Sequence, residues 1–301
     1  MMEVNMKNKA DFIDKKTVFN HILKACRDAS GSSIFTPAGI PTGFFDLDYK
    51  LRGLQRGELI LLAGRAFMGK TALALSISRY IAEKENKAVA YFSPRISGEQ
   101  IVTRLLAIDA KVKIYDLAAG KVNKDDWLRL KNSAGHIADT PLYIDDSPCI
   151  TVDEMRAKCL KFKKKIGLDL IVVDSLQFVA PDKKCAHHSA AWIKRYIISS
   201  LKKLAVEMDC PVVVISKLPE PEDLEENKRP EITDLRISDF TAQYADVILF
   251  MYREQGNGRK SEATDQLTDI IIAKNRSGKD GVVKLKGDFD YARFVMGRSE
   301  P

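Results

Sequence analysis

The sequence predicts an α/β fold: a mostly parallel, twisted sheet, antiparallel strands added at its C-terminal end, and an amphipathic helix ahead of it. Three observations predict this. Between residues 58 and 216, short runs rich in Val, Ile and Leu alternate with stretches of helical periodicity, the order that crossovers between parallel strands produce. Beyond residue 245 the strand-like runs are joined by connections too short for a crossover helix, which points to antiparallel pairing or edge addition. Near the start, Val18, Ile22, Leu23 and Cys26 recur at helical spacing before the link at residues 28–33.

Taken in order, the expected elements are strand 58–63, helix 70–84, strand 88–92, helix 97–109, strand 142–144, helix 151–165, strand 170–174, helix 190–208 and strand 211–216. Thr151 with Glu154 and Ser97 with Gln100 have the spacing of a capping box, which supports two of the helix starts. Four more strands follow at 245–252, 269–274, 281–285 and 293–295. The expected organisation is an arm, residues 1–35, followed by one domain, residues 36–301.

Composition excludes several classes. Hydrophobic residues make up 45% and charged residues 30% of the chain, too apolar for a disordered protein. No apolar run approaches the roughly 20 residues of a membrane span, and the charged N-terminus lacks a secretory pattern, so a cytoplasmic protein is expected. Five cysteines without a CxxC pair suggest neither a disulfide framework nor a zinc knuckle. Cys185, His187 and His188 cluster in sequence, but no distant ligand pair completes a metal site. The net charge of +7 is compatible with a polyanionic partner. The densest basic run, Lys161 and Lys163 to Lys165, ends a helix, where cations favour the dipole.

The residues that carry chemistry begin with Gly64, Arg65, Ala66, Phe67, Met68, Gly69, Lys70 and Thr71. They match G-x-x-x-x-G-K-T between an apolar strand and a helix, the context in which backbone N–H groups cradle phosphates. Lys70 is then placed to reach the terminal phosphates and Thr71 to ligate magnesium, so ATP with Mg2+ is the expected ligand. Leu170-Ile-Val-Val-Asp174 is an apolar strand ending in a carboxylate, which makes Asp174 the second magnesium residue.

From about Thr36 onward the chain resembles the C-terminal motor domain of DnaB-type replicative DNA helicases. The stretches that carry the likeness are Gly39-Ile-Pro-Thr-Gly43, Phe45-Asp-Leu-Asp48, Met68-Gly-Lys-Thr71, Tyr143-Ile-Asp-Asp146, Met155-Arg-Ala-Lys158, Asp174-Ser-Leu-Gln177, Asn227-Lys-Arg-Pro230 and Ile270-Ile-Ile-Ala-Lys-Asn-Arg276. The resemblance implies a RecA-like ATPase fold, a hexameric ring and action on single-stranded DNA. The N-terminal helix resembles the family's linker helix, and the family's N-terminal domain is expected to be missing. Lys274 and Arg276 correspond to a basic pair that reaches a neighbour's γ-phosphate, Arg276 as a finger in trans, and their spacing puts them on one face of a strand.

Some positions depart from the family. The family's water-orienting glutamate, which follows the second strand, is Arg95 here, and Glu99 is the acid nearest in sequence. A glutamine that senses the γ-phosphate is Lys217. Two added positive charges strengthen binding of a triphosphate, whereas loss of a general base removes help needed in the transition state. The expectation is a chain that binds ATP and turns it over slowly or not at all.

The DNA-facing loops differ too. Several carboxylates fall between Pro219 and Asn227, and Arg236 and Ser238 alone survive from an Arg-Glu-Ser-Gly stretch. Lys183, Lys184 and Arg236 are the candidate nucleic-acid contacts, with Lys194 and Arg195 as further basic positions on a helix. Two readings stay open. One is an active hexameric helicase, and the other a nucleotide-binding paralogue that assembles with a competent helicase. A recombination-type ATPase fits the quoted stretches less well.

Overall fold

A computed structural model describes residues 37–185, 187–219, 228–235, 240–254 and 266–297. The arm helix, Arg236 and residues 220–227 of the acidic segment lie outside the described residues. Nine strands among the described residues form one sheet in the order β3-β2-β4-β5-β1-β6-β7-β8-β9. They are β1 (Leu59–Gly64), β2 (Val89–Phe92), β3 (Leu142–Asp145), β4 (Leu170–Asp174), β5 (Val212–Lys217), β6 (Val247–Tyr252), β7 (Gln266–Asn275), β8 (Gly281–Asp288) and β9 (Arg293–Met296). The helices are α1 (Phe45–Leu51), α2 (Lys70–Glu83), α3 (Gly98–Ala110), α4 (Ile114–Ala118), α5 (Lys124–Ala138), α6 (Val152–Ile166), α7 (Ala190–Met208) and α8 (Thr241–Tyr244).

Strands β1 to β6 pair in parallel, and β7, β8 and β9 continue the sheet antiparallel. β6 departs from the sequence expectation, because it runs parallel to β1 inside the sheet. The reason is the connection before it: 29 residues between Lys217 and Val247, including α8, leave room for a crossover. β1, β4 and β6 are buried along their whole length, as strands covered on both faces must be. Alternate residues serve opposite faces. Ile60 and Leu62 join a core with α1, α2 and α3, whereas Leu59 packs with α6 and α7.

Both helix starts expected from capping spacing are present. Ser97 accepts from the Gln100 N–H, and Thr151 and Glu154 satisfy each other's backbone reciprocally. α5, fifteen residues long, has no counterpart in the sequence reading. It buries only Leu130 and Ser133, so its apolar stripe is too thin to show as periodicity, although the Asn123 cap that accepts from the Asp126 N–H was readable. No helix among the described residues is long and apolar enough to cross a membrane.

Candidate nucleotide site

The carboxyl ends of β2, β4, β5 and β1 meet along one edge of the sheet, where open α/β folds bind ligands. β1 ends at Gly64, whose register partners are Lys217 on β5 and Met251 on β6. The chain turns there and enters α2 at Lys70. Gly69 makes that turn possible: its φ is +88°, and a Cβ would stand 2.8 Å from Phe289 Cε1 and 2.9 Å from Phe294 Cε2. No other residue type meets both demands without strain. Phe67, with φ +60° and 92% exposed, forms the outer tip of the loop.

Lys70 reaches back across the loop, its Nζ donating to the Arg65 carbonyl at 2.5 Å. Thr71 Oγ1 donates to Asp174 Oδ2 at 2.7 Å, and the Tyr91 hydroxyl donates to the same oxygen at 3.0 Å. The two residues expected at a magnesium ion are therefore in contact across the β1–α2 and β4 ends. A hydroxyl and a carboxylate are oxygen donors of the kind magnesium takes, so this pair fits the ion. Asp174 is 3% exposed, and burial raises its pKa above the usual carboxylate value, while the Thr71 and Tyr91 hydrogen bonds and the charges of Arg95 and Lys70 pull it down. Burial, and then the Asp174 charge, push the Tyr91 phenol well above its ordinary range.

Arg95 stands at the tip of a turn closed by Ser93, whose Oγ donates to the Ile96 carbonyl at 2.7 Å. Its guanidinium lies 5.5 Å from the centre of the Phe178 ring, and its charge acts on Asp174. Arg95 thus faces the Asp174 end of the site. Glu99 is exposed on the first turn of α3. Lys217 is exposed at the end of β5. Gln177 ties β4's exit to this strand, donating to Ser216 Oγ at 2.9 Å and accepting from the Lys217 N–H at 3.3 Å.

Sequence reasoning missed three residues here. Tyr91 read as one more apolar strand position. Gln177 was seen only as part of a quoted stretch. Arg253 was not singled out, yet it donates to the Phe67 carbonyl at 3.0 Å and stacks over Phe289 at 4.7 Å, with Nη1 buried and lacking a hydrogen-bond partner among the described residues. Its signal was a charge directly after a fully buried strand that adjoins the loop strand.

Lys274 and Arg276 lie toward the other end of the sheet. Lys274 pairs in register with Ile248, itself level with Leu61, and the Arg276 N–H donates to the Asp246 carbonyl just before β6. Lys274 Nζ donates to the carbonyls of Ala242 (2.8 Å) and Ala245 (2.6 Å), and burial, then the Arg276 charge, lowers its pKa. Arg276 Nη1 lies 3.3 Å from Asp246 Oδ1. Asp246 is 4% exposed and also accepts from the Leu59 N–H at 2.8 Å and Lys202 Nζ at 2.6 Å. The five strand steps from Leu59 to Gly64 place Arg276 roughly 17 Å from its own loop along the strand direction.

Of the candidate nucleic-acid residues, Lys183 is exposed on a short 3-10 turn. Lys184 is engaged within the chain: its Nζ is 3.0 Å from Asp153 and lies over the Tyr196 ring. His188 stacks on Trp192.

A family model described as the DnaB-like helicase C-terminal domain matches residues 39–296. The chain belongs to that family. The replicative DNA helicase DnaB of Geobacillus stearothermophilus is 38% identical over 257 residues, which cover 85% of this chain and 56% of the relative. The replicative DNA helicase DnaC of Bacillus subtilis is 36% identical over 257 residues, with the same shares. The chain therefore spans a little over half the length of these relatives. Among solved structures, one that consists of an ATPase domain superposes with a TM-score of 0.85 at 28% identity, covering 95% of this chain and 100% of that one. A DnaB-like replicative helicase described with its primase interactions gives 0.83 at 28% identity, covering 96% of this chain and 68% of that one. A KaiC-like protein from Pyrococcus horikoshii, 14% identical with a TM-score of 0.56, shares the fold alone. The DnaB-like domain thus has the RecA-like ATPase architecture that the resemblance implied.

Proposed function

We propose that this DnaB-like domain binds ATP with Mg2+ at the loop Gly64–Thr71, hydrolyses it slowly or not at all, and acts in DNA replication as a ring subunit. The ring is made of six copies of this chain or of this chain with a competent helicase, in the cytoplasm and on single-stranded DNA. Residues 1–35 form the arm and residues 36–301 the motor domain. The observation that carries the reading is the Thr71–Asp174 contact beside Lys70, with Arg95 rather than a carboxylate facing it. When bound, the ion screens phosphate charge. Thr71 and Asp174 hold it, the loop N–H groups and Lys70 bind the phosphates, and Arg253 offers a donor beside the loop.

Arg95 and Lys217 add cationic charge on either side of Asp174. Such charge favours the bound triphosphate, but it cannot take a proton from an attacking water, which is the task of a general base. The distance of Arg276 from its own loop supports action on a neighbour's nucleotide. The second reading, an active helicase, is favoured by the extent of the family match. Calorimetric titration with ATP and Mg2+, phosphate release with and without single-stranded DNA, and mass in solution with and without ATP test the proposal together. Tight binding with assembly and negligible release supports it. Release at a rate typical of an active helicase, abolished by Lys70→Ala, overturns the slow-turnover part, and absence of ATP heat overturns the whole.

A further inference from the structure

His188, two residues ahead of α7, and Trp192 and Tyr196 on its first turns form a ladder of near-parallel rings. The His188 and Trp192 centroids are 3.7 Å apart with planes 17° from parallel, and those of Trp192 and Tyr196 are 5.4 Å apart at 7°. A spacing of four residues sets Trp192 and Tyr196 above one another on one helix face, and the bend just before the Ser189 N-cap lays His188 on Trp192. Lys184 Nζ, 5.1 Å from the Tyr196 ring, closes the far end. The ladder is not core. The buried apolar residues of α7 begin at Ile197, whereas His188 is exposed and Trp192 is 38% exposed. His188 has no second ring contact among the described residues, so the stack ends on an accessible ring.

Its position bears on nucleic acid. β4 delivers the chain to the nucleotide edge at Asp174, Ala180 bridges to Thr151 there, and α7 runs back to begin β5 at the far edge. The ladder therefore starts on the side of the sheet that carries the loop. The nearby acids Asp153 and Asp182 are both paired with Lys184. Lys183 and Arg195 make no ion pair among the described residues, and Arg195 lies flat over Phe240 at 4.5 Å. Exposed parallel rings with uncompensated cations beside them are what single strands bind, because every base offers a π-face and every linkage a negative charge.

We propose that this ladder is a stacking platform for the bases of single-stranded nucleic acid, with one base seated on the outer ring of His188. The inference rests on the single-strand part of the proposed function and adds base contact to it. The test uses the full chain, a labelled oligothymidylate, and an abasic oligonucleotide of equal length and charge, compared by fluorescence anisotropy. The oligothymidylate is expected to bind about tenfold more tightly or better, and His188→Ala to remove most of that difference without altering the circular-dichroism melt. Irradiation of a 5-iodouracil-substituted strand is expected to crosslink at His188 or Trp192. An oligouridylate with the same sensitivity to His188→Ala would support the platform with RNA as the source. Equal affinity for the thymidylate and abasic strands would overturn the platform while leaving phosphate-driven binding intact. No binding of either strand, by protein that still gives heat with ATP, would overturn platform and single-strand reading together but not the nucleotide site.

Discussion

Replacing Arg95 with Glu puts a carboxylate at the turn that faces Asp174, and two effects of opposite sign follow. Arg95 is exposed, so its charge acts through a water-like dielectric. At a separation on the order of 6 Å, each unit charge against a unit of phosphate charge is worth about 0.7 kcal/mol. Exchanging +1 for −1 therefore weakens ATP binding by about 1.4 kcal/mol, or about tenfold. A correctly placed general base contributes about 10² to 10⁴ in rate. Arg95→Glu is expected to raise phosphate release at saturating ATP by a factor in that range while raising the dissociation constant about tenfold. Coupled-enzyme phosphate release and calorimetry on the same sample read both numbers. A variant that melts like the parent, binds ATP about tenfold more weakly and releases phosphate no faster would refute the assignment of position 95 as the missing base. A parent rate that falls on this substitution would refute the slow-turnover proposal itself.

Three further outcomes are expected. Gly69→Ala places a Cβ at 2.8–2.9 Å from the Phe289 and Phe294 rings at a backbone φ of +88°. A left-handed non-glycine residue alone costs about 1–2 kcal/mol, so a lower melting temperature and at least tenfold weaker ATP binding are expected, and an unchanged melt would contradict the strained-turn argument. Arg276→Ala is expected to leave ATP affinity of the isolated chain unchanged but to cut turnover of a mixed ring with a competent helicase, where a finger in trans contributes about 10³ to 10⁵; loss of binding in the isolated chain would argue against action on a neighbour. Asp48, buried beside Thr42, has its pKa raised from 3.8 to about 6 by burial, against hydrogen bonds from Thr42 and Gly43. Between those two values the folded chain holds the proton more tightly than the unfolded chain, so stability falls as pH rises through that window, by up to about 3 kcal/mol. Asp48→Asn should flatten that slope in urea melts at pH 4 and pH 6.5, and an unaltered slope would assign it to other groups.

Much of this fold was legible because a strand covered on both faces has to be apolar throughout, as β1 and β4 are, while the helices between them carry an apolar stripe. α5 was not legible, because a helix that buries only Leu130 and Ser133 has almost no stripe to read. The parallel setting of β6 was also hidden. An apolar run looks the same in either direction, and direction depends on how the preceding connection crosses the sheet. The loop and Asp174 announced themselves because phosphate and magnesium binding need particular atoms at fixed spacing next to a strand end.

The sequence by itself determined that a strand, a glycine-bounded turn and a helix present Lys70 and Thr71, and that positions 95 and 217 carry positive charge. Tertiary structure alone decided which distant residues share that edge. It brought Asp174 within 2.7 Å of Thr71, set Tyr91 and Arg253 around them, and anchored Lys274 and Arg276 about Asp246 at the far end. The physical reason is that local sequence encodes backbone preference and burial over a few residues. Contacts between residues a hundred apart are fixed only when strand order and register place them side by side.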